Sequence, residues 1–331
     1  MAVTLAEAKN NTQEDYDPMV IDEFRKNSEI LDSLIFDNAV SPGGGNTLTY
    51  SYRRMATQPT AAFRAINSEY TPQEVTSLPF SVNLVPLGGS FEVDRVLAAL
   101  GPEASGSVAV NLRQKIKATT TLFQDTVING DIATDANSFE GLDKALTGSS
   151  TEDKTSKPDW TDMSDSGFKI LDSLDEFLSL LDGDPTVLVG NTKSLAKLRA
   201  AARRSSQYTK DPVEGLLGEN GRPITREAYG NILLVDAGAK AGTNDPIIPV
   251  DAASGTTDIY AYRVGLDGFH GVSVSGGQLV QTWLPDFTTA DAVKQGEGAL
   301  GPIDVALTAP QAASSTRGVK VPARGARTRA A

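Results

Sequence analysis

Residues 46–90 cannot build a core of their own. The stretch holds two extended segments rich in Thr, Tyr and Val, interrupted by Pro59, Pro72, Pro79 and Pro86. By alternation and β-branched or aromatic content, its best strands are residues 48–54 (LTYSYRR) and 81–87 (SVNLVPL). An isolated two-stranded hairpin is marginal in water, and coreless loops beyond roughly 12–15 residues are uncommon in compact domains. About 18 residues per limb reach at most roughly 60 Å when extended. Such a segment needs a surface outside itself, and the simplest source is another copy of the same chain. That points to an assembly rather than an enzyme.

The rest of the 331-residue chain is long enough for two modest domains or one elaborated one. A hydrophobic content of 40% supports a core, while 30 Gly and 17 Pro favour a mixed or β-rich protein with long loops. With no cysteine, disulfides, thiolate nucleophiles and thiolate metal sites are excluded. The net charge of −12 is uneven. After Asp304 come Arg317, Lys320, Arg324, Arg327 and Arg329 and no acid, leaving 25 basic against 42 acidic groups before them. A body this acidic disfavours broad adhesion to nucleic acid. The basic tail is expected to be a solvated terminus, with nucleic acid or a neighbour's acidic face as its functional partners. The amino terminus lacks a signal's basic start and apolar run, and no apolar run approaches a membrane span. A soluble cytoplasmic product is expected.

Along the chain, the first 40 residues carry nine acidic and three basic groups and an apolar stripe of Val20, Ile21, Phe24, Ile30, Leu31, Leu34 and Ile35. Gly43, Gly44 and Gly45 follow as a hinge, and Gly88 and Gly89 are expected to form a second at the far end of the extended stretch. From Pro102 the spacing of Val108, Leu112, Ile116, Phe123 and Val127 predicts a helix over 102–128, stopped at Asn129-Gly130. Residues 149–166 read as a polar, exposed segment. Ile170, Leu171, Leu174, Phe177, Leu178 and Leu181 mark a second helix, and residues 186–190 a buried strand. Asn191 is placed to cap a helix over 192–204. A charged loop is expected between Arg204 and Arg226, and strands at 229–236, 258–265, 271–275 and 278–284. The fold class is α+β.

No constellation assembles an active site. His270 is the only histidine, and Gly271, Ser273 and Ser275 do not form a nucleophile elbow, so it reads as structural. Gly296, Gly298 and Gly301 have the spacing of a dinucleotide fingerprint without its βαβ context and read as a flexible loop. Gly190 to Ser194 reads as a helix cap. Asp131, Asp135, Asn137 and Glu140 miss the spacing of a calcium loop, and Asp172 with Glu176 sits on a polar helix face. No catalytic residue, cofactor or metal is expected.

The order of elements, and two runs in particular, resemble a known family. Asn129-Gly130-Asp131 followed by Phe139-Glu140-Gly141-Leu142 is similar to the "N-G-D…F-x-G-L" stretch after the spine helix of tailed-bacteriophage major capsid proteins of the Hong Kong 97 type. The runs TVLVGNTKSLAKLRAA and NGRPITREAYGNILLVD resemble the axial-domain strand, helix and returning strand of that family, and ALGPIDVALTAP and RGVKV its closing strands. The resemblance implies an amino-terminal arm at 1–45, an extended loop at 46–90, a peripheral domain at 91–166 with its spine helix, an axial domain at 167–277, and return strands with a basic tail at 278–331.

It further implies a non-enzymatic shell protein that forms pentamers and hexamers around double-stranded DNA, assembled in a bacterial cytoplasm and residing in the virion capsid. Its partners would be its own copies, a separate scaffolding protein, a portal and a decoration protein, with no membrane. Arg53, Arg54, Arg64, Glu69 and Glu74 are the expected inter-subunit residues. Some members cross-link through an extended-loop lysine, and this loop has none. An encapsulin-type nanocompartment, of the same fold, is the nearest alternative. An extracellular glycan-binding β-rich protein is a second, and would need an aromatic groove and a secretion signal.

Overall fold

The computed structural model describes residues 30–38, 48–96, 102–162, 164–165, 167–205, 208–217, 223–243, 245–274, 280–288 and 290–322. The first half of the chain contributes α1 (Ile30–Ser33), β1 (Phe36–Asn38), β2 (Thr49–Met55), β3 (Ser77–Asn83), β4 (Val85–Asp94), α2 (Pro102–Asn129), α3 (Leu142–Leu146) and β5 (Glu152–Asp153). The second contributes α4 (Phe168–Leu178), β6 (Val187–Gly190), α5 (Thr192–Arg204), β7 (Tyr208–Leu217), β8 (Pro223–Tyr229), β9 (Ile232–Asp236), β10 (Thr256–Tyr262), β11 (Phe269–Ser273), β12 (Val280–Trp283), β13 (Val293–Leu307) and β14 (Ala313–Lys320).

Helix α2 spans 28 residues, about 42 Å, close to its predicted range. Its threonines are accommodated by back-bonding: the Thr119, Thr121 and Thr126 hydroxyls donate to the carbonyls of Lys115, Lys117 and Leu122 at 2.7–2.8 Å. The stop is a close backbone crossing. The Gly130 N–H donates to Thr126 O at 2.8 Å and the Gly141 N–H to Gly130 O at 2.9 Å. A Cβ on Gly141 would lie 2.5 Å from Thr126 O, and one on Gly130 2.2 Å from Phe139 O. Between these glycines the chain loops out and returns Phe139 onto Phe123, ring centroids 5.8 Å apart, with Leu142 buried beside them. The N-G-D…F-x-G-L run is thus a helix terminus locked by two touching backbones.

Two sheets flank this helix. In the five-stranded sheet, β13 is the shared strand: β4 pairs with it on one side, β12 and β11 on the other, and β1 joins β11 in parallel. The seven-stranded sheet runs β5-β14-β10-β6-β9-β8-β7, with β6-α5-β9 forming a parallel crossover. Strand alternation divides this second sheet between two cores. Val187, Val189, Tyr260 and Tyr262 face the core of α2 and the first sheet, while Leu188, Ile259 and Ala261 face α4 and α5. Asn191 caps α5 as predicted: its side chain accepts from the Lys193 N–H at 2.8 Å, and Ser194 Oγ accepts from the Asn191 N–H at 3.1 Å.

β5 and β14 pair into the sheet that holds β6 to β10, and β11 pairs into the other. Several expectations are corrected. The charged stretch 204–226 contains the β7-β8 hairpin rather than a loop. Within 149–166, Trp160 is buried and its Nε1 donates to Ser173 Oγ at 3.1 Å. Gly296 and Gly298 are not in a loop but inside β13, where added Cβ atoms would meet Phe91 at 2.5 Å and Ile116 at 3.2 Å. Gly88 and Gly89 are no hinge; they lie in β4 opposite Ala299 and Gly298, and a Cβ on Gly88 would meet the Ala299 Cβ at 2.8 Å. The glycines expected to give flexibility give close packing instead.

The basic tail begins later than expected, because Arg317 and Lys320 belong to β14. Arg317 sits between α3, β5 and β10. Its guanidinium donates to Asp143, to Glu152 Oε1 at 3.0 Å, to Asp258 Oδ2 at 3.1 Å and to the Tyr260 hydroxyl at 2.9 Å. Lys320 pairs with Asp159 at 2.9 Å. Arg324, Arg327 and Arg329 lie outside the described residues, as do Gly43, Gly44 and Gly45. Of the arm, residues 30–38 dock on their own chain: Ile30 and Leu34 are buried and β1 extends the sheet.

Three substitutions test this framework by urea unfolding. Gly141→Ala forces backbone against backbone and is expected to cost about 1–3 kcal/mol. Arg317→Ala leaves Glu152 buried with only Lys154 as its cation, and is expected to cost about 2 kcal/mol, at the low side for a broken buried pair because the cluster is partly solvated. Arg317→Lys should restore only part of this loss, since an ammonium cannot span three carboxylates as the fork does.

Candidate assembly hairpin

The extended stretch forms a two-stranded sheet of its own. β2 pairs with β3 in a continuous antiparallel register from Thr49↔Asn83 to Met55↔Ser77. The second strand lies four residues earlier than predicted, because residues 85–87 are drawn into β4 by pairing with β13. Seven residues per strand carry the hairpin about 24 Å from its root. Beyond them, residues 56–76 are held by a narrow polar ladder. The Ala56 N–H donates to Thr76 O at 2.8 Å, the Thr57 and Thr76 hydroxyls lie 3.0 Å apart, and Gln73 Nε2 donates to Thr60 Oγ1 at 2.7 Å.

Root and tip differ in kind. At the root, Leu84 is buried, and Tyr50, Tyr52 and Val82 pack on Val272 and Ala306 of the five-stranded sheet. The Tyr50 hydroxyl donates to Asp37 Oδ2 at 2.9 Å, and burial together with that carboxylate pushes the phenol up to about 12. The Tyr50 ring meets His270 edge-on, centroids 5.7 Å apart. His270 is fully buried, as a structural histidine should be, and burial holds its imidazole below the ordinary range.

Arg54 completes the root. It lies 4.2 Å over the Phe80 ring, and its guanidinium donates to the carbonyls of Leu307 and Thr308, the latter at 3.0 Å. Within the single chain, the guanidinium expected to serve between subunits is engaged by its own root. The signal was in the sequence, since Tyr50, Tyr52 and Arg54 alternate onto one face of β2.

From residue 55 round the tip to residue 81 every position is exposed. Phe63 is fully exposed, Ile66 is 91% exposed, and Met55, Tyr70 and Leu78 are more than half exposed. Burying one such side chain is worth about 1.5–3 kcal/mol, so the tip holds a large unspent driving force for association. Arg64 is engaged locally, its Nη1 donating to Ser68 O at 3.0 Å and its guanidinium lying 5.3 Å from the Tyr70 ring centre. Arg53, Glu69 and Glu74 are exposed along the same element.

No protein-family model matches the chain, and no curated protein matches it in sequence. Solved structures do match. The holo-SrpI encapsulin complex of Synechococcus elongatus PCC 7942 superposes over 97% of both chains with a TM-score of 0.62 at 14% identity. A structure from Mycobacterium phage Bobi aligns over 95% of this chain and 98% of that one, with a TM-score of 0.57 at 12% identity. The capsid of Myoviridae phage XM1 aligns over 94% and 98%, with a TM-score of 0.55 at 11% identity. At such identities it is the architecture that is held in common, and with its spine helix, its sheet around β13 and its projecting hairpin the chain has the Hong Kong 97-type fold of capsids and encapsulins.

Proposed function

We propose that this chain is the major capsid protein of a tailed phage, a non-enzymatic subunit that self-assembles through pentamers and hexamers into an icosahedral shell around double-stranded DNA. The observation that carries the reading is the hairpin, whose apolar tip stands away from a root fastened to its own sheet. A tip so held cannot fold back on its own body. It seats on a different surface of a neighbour, and such a heterologous contact closes into rings and then shells when the rotation between copies closes. The acidic body sets copies against one another, so each contact is weak and the shell is held by their number.

A separate scaffolding protein, a portal and a decoration protein complete the proposed partners, and the inferred arm, loop, peripheral and axial segments are its working parts. A nanocompartment enclosing protein cargo is the second reading, supported by the full-length superposition on an encapsulin. Contents separate the two: DNA in one, a cargo protein in the other.

The chain expressed alone is expected to give capsomer rings or closed shells by analytical ultracentrifugation and negative-stain microscopy. A monomer that stays monomeric with every candidate scaffold overturns the proposal. Combined Phe63→Ser, Ile66→Ser and Tyr70→Ser should abolish assembly while leaving monomer stability within about 0.5 kcal/mol, because the sites are exposed. Combined Arg53→Ala and Arg64→Ala should lower shell yield without unfolding the monomer. With no lysine in the hairpin, boiled particles should run as a single monomer band in denaturing gels.

A further inference from the structure

The root of the hairpin covers a row of ionisable groups. Asp37 of β1, Val272 of β11 and Asp304 of β13 stand in register across three adjacent strands, so their side chains share one face. That face is the one under the hairpin, because Val272 packs against Tyr50, Tyr52 and Val82. His270, two residues along β11, lies on it too, beneath the Tyr50 ring. His270 is 0% exposed and Asp304 4%. Neither ring nitrogen of His270 makes a hydrogen bond of good geometry, although the Gly265 backbone lies close enough to favour its charged form, and Asp304 Oδ1 accepts from the N–H of its own neighbour Val305 at 2.6 Å. Buried and so sparsely answered, His270 and Asp304 are each favoured in their neutral forms.

We propose that this seam is a titratable joint, closed when Asp304 is protonated and His270 neutral, and loosened when either group takes its charge. The hairpin is the part able to move, since it is held by a few packed side chains, the Tyr50 bond to Asp37 and the Arg54 and Tyr52 bonds to the end of β13 rather than by strand pairing. The inference concerns a contact within one chain and does not depend on how copies assemble.

The neighbouring charges set the signs. Asp37 from β1, Asp267 from the turn before β11 and the Gly265 backbone favour the imidazolium, but burial outweighs them and keeps His270 neutral. Tyr50 offers it only a ring edge, and Arg54 is committed further along to the Leu307 and Thr308 carbonyls. Burial and then the charge of Glu140, on the connection after α2, push Asp304 up to about 7 against the pull of the Val305 N–H. The closed joint therefore retains an Asp304 proton that the open one releases, so Asp304 favours closure as pH falls through about 7. The open joint instead gains a proton on His270 below about pH 6.5, so His270 favours opening in acid. The two oppose each other, and each hides the other in the native chain.

Hydrogen exchange of the full chain, with rates divided by intrinsic rates at each pH, reads the joint directly in β2 and β3. Between about pH 8 and 5.5, His270→Phe should tighten the hairpin more than about tenfold, through Asp304 alone. Asp304→Asn should loosen it by up to about tenfold over the same range, through His270 alone, and the native chain should fall between them. Where either variant does not fold, His270→Gln or Asp304→Leu gives the same contrast. Hairpin protection that moves with the same sign in both variants, or that follows pH no differently from β6 and β10, overturns the proposal.

Discussion

Strand β13 shares its hydrogen bonds with three other strands, and α2 can lie along it because Gly298 leaves room for Ile116 and Leu112 to approach the backbone. From that contact the remaining geometry follows. Leu300, Ile303 and Val305 of β13 meet Phe123, Val127 and Ile128 of α2 in one core, and the inner faces of β6 and β10 close it from the other side. The far end of β13 then presents the Leu307 and Thr308 carbonyls to which Arg54 and Tyr52 fasten the hairpin. A helix with a side chain clashing at residue 298 would lift off, and the direction of the hairpin would change with it.

What could be read from the chain was whatever is local. The period of α2, the cap at Asn191 and the coreless character of residues 55–81 are each specified within a few turns or strands of sequence, and each is found in place. What could not be read was pairing over distance. Arg317 and Lys320 looked like tail residues because the acids that hold them, Asp143, Glu152, Asp258 and Asp159, are 59 to 174 positions away. Glycine misled for a related reason. Gly88, Gly89, Gly296 and Gly298 look like punctuation in one dimension, whereas their role comes from a neighbouring strand, ring or helix that only the fold brings near.

The hairpin shows the two regimes side by side. Its root obeys the same rules as any core, with alternating aromatic residues, a buried leucine and a guanidinium stacked and hydrogen-bonded. Its tip breaks them, with Phe63 and Ile66 in water. Such a local violation of binary patterning is what the proposed association would relieve, and the sequence carried that violation openly.

The placement of β14 also governs when the molecule can become itself. Residues 313–320 must slot between β10 and β5, and residues 36–38 must wait for β11 before they find their partner. A chain still emerging from the ribosome lacks the strand between β10 and β5 until residues 313–320 have appeared. Closure over such sequence separations is slow, so folding is a late event in the life of each copy. Until then the second sheet, and with it half of the core that α2 shares, is unfinished.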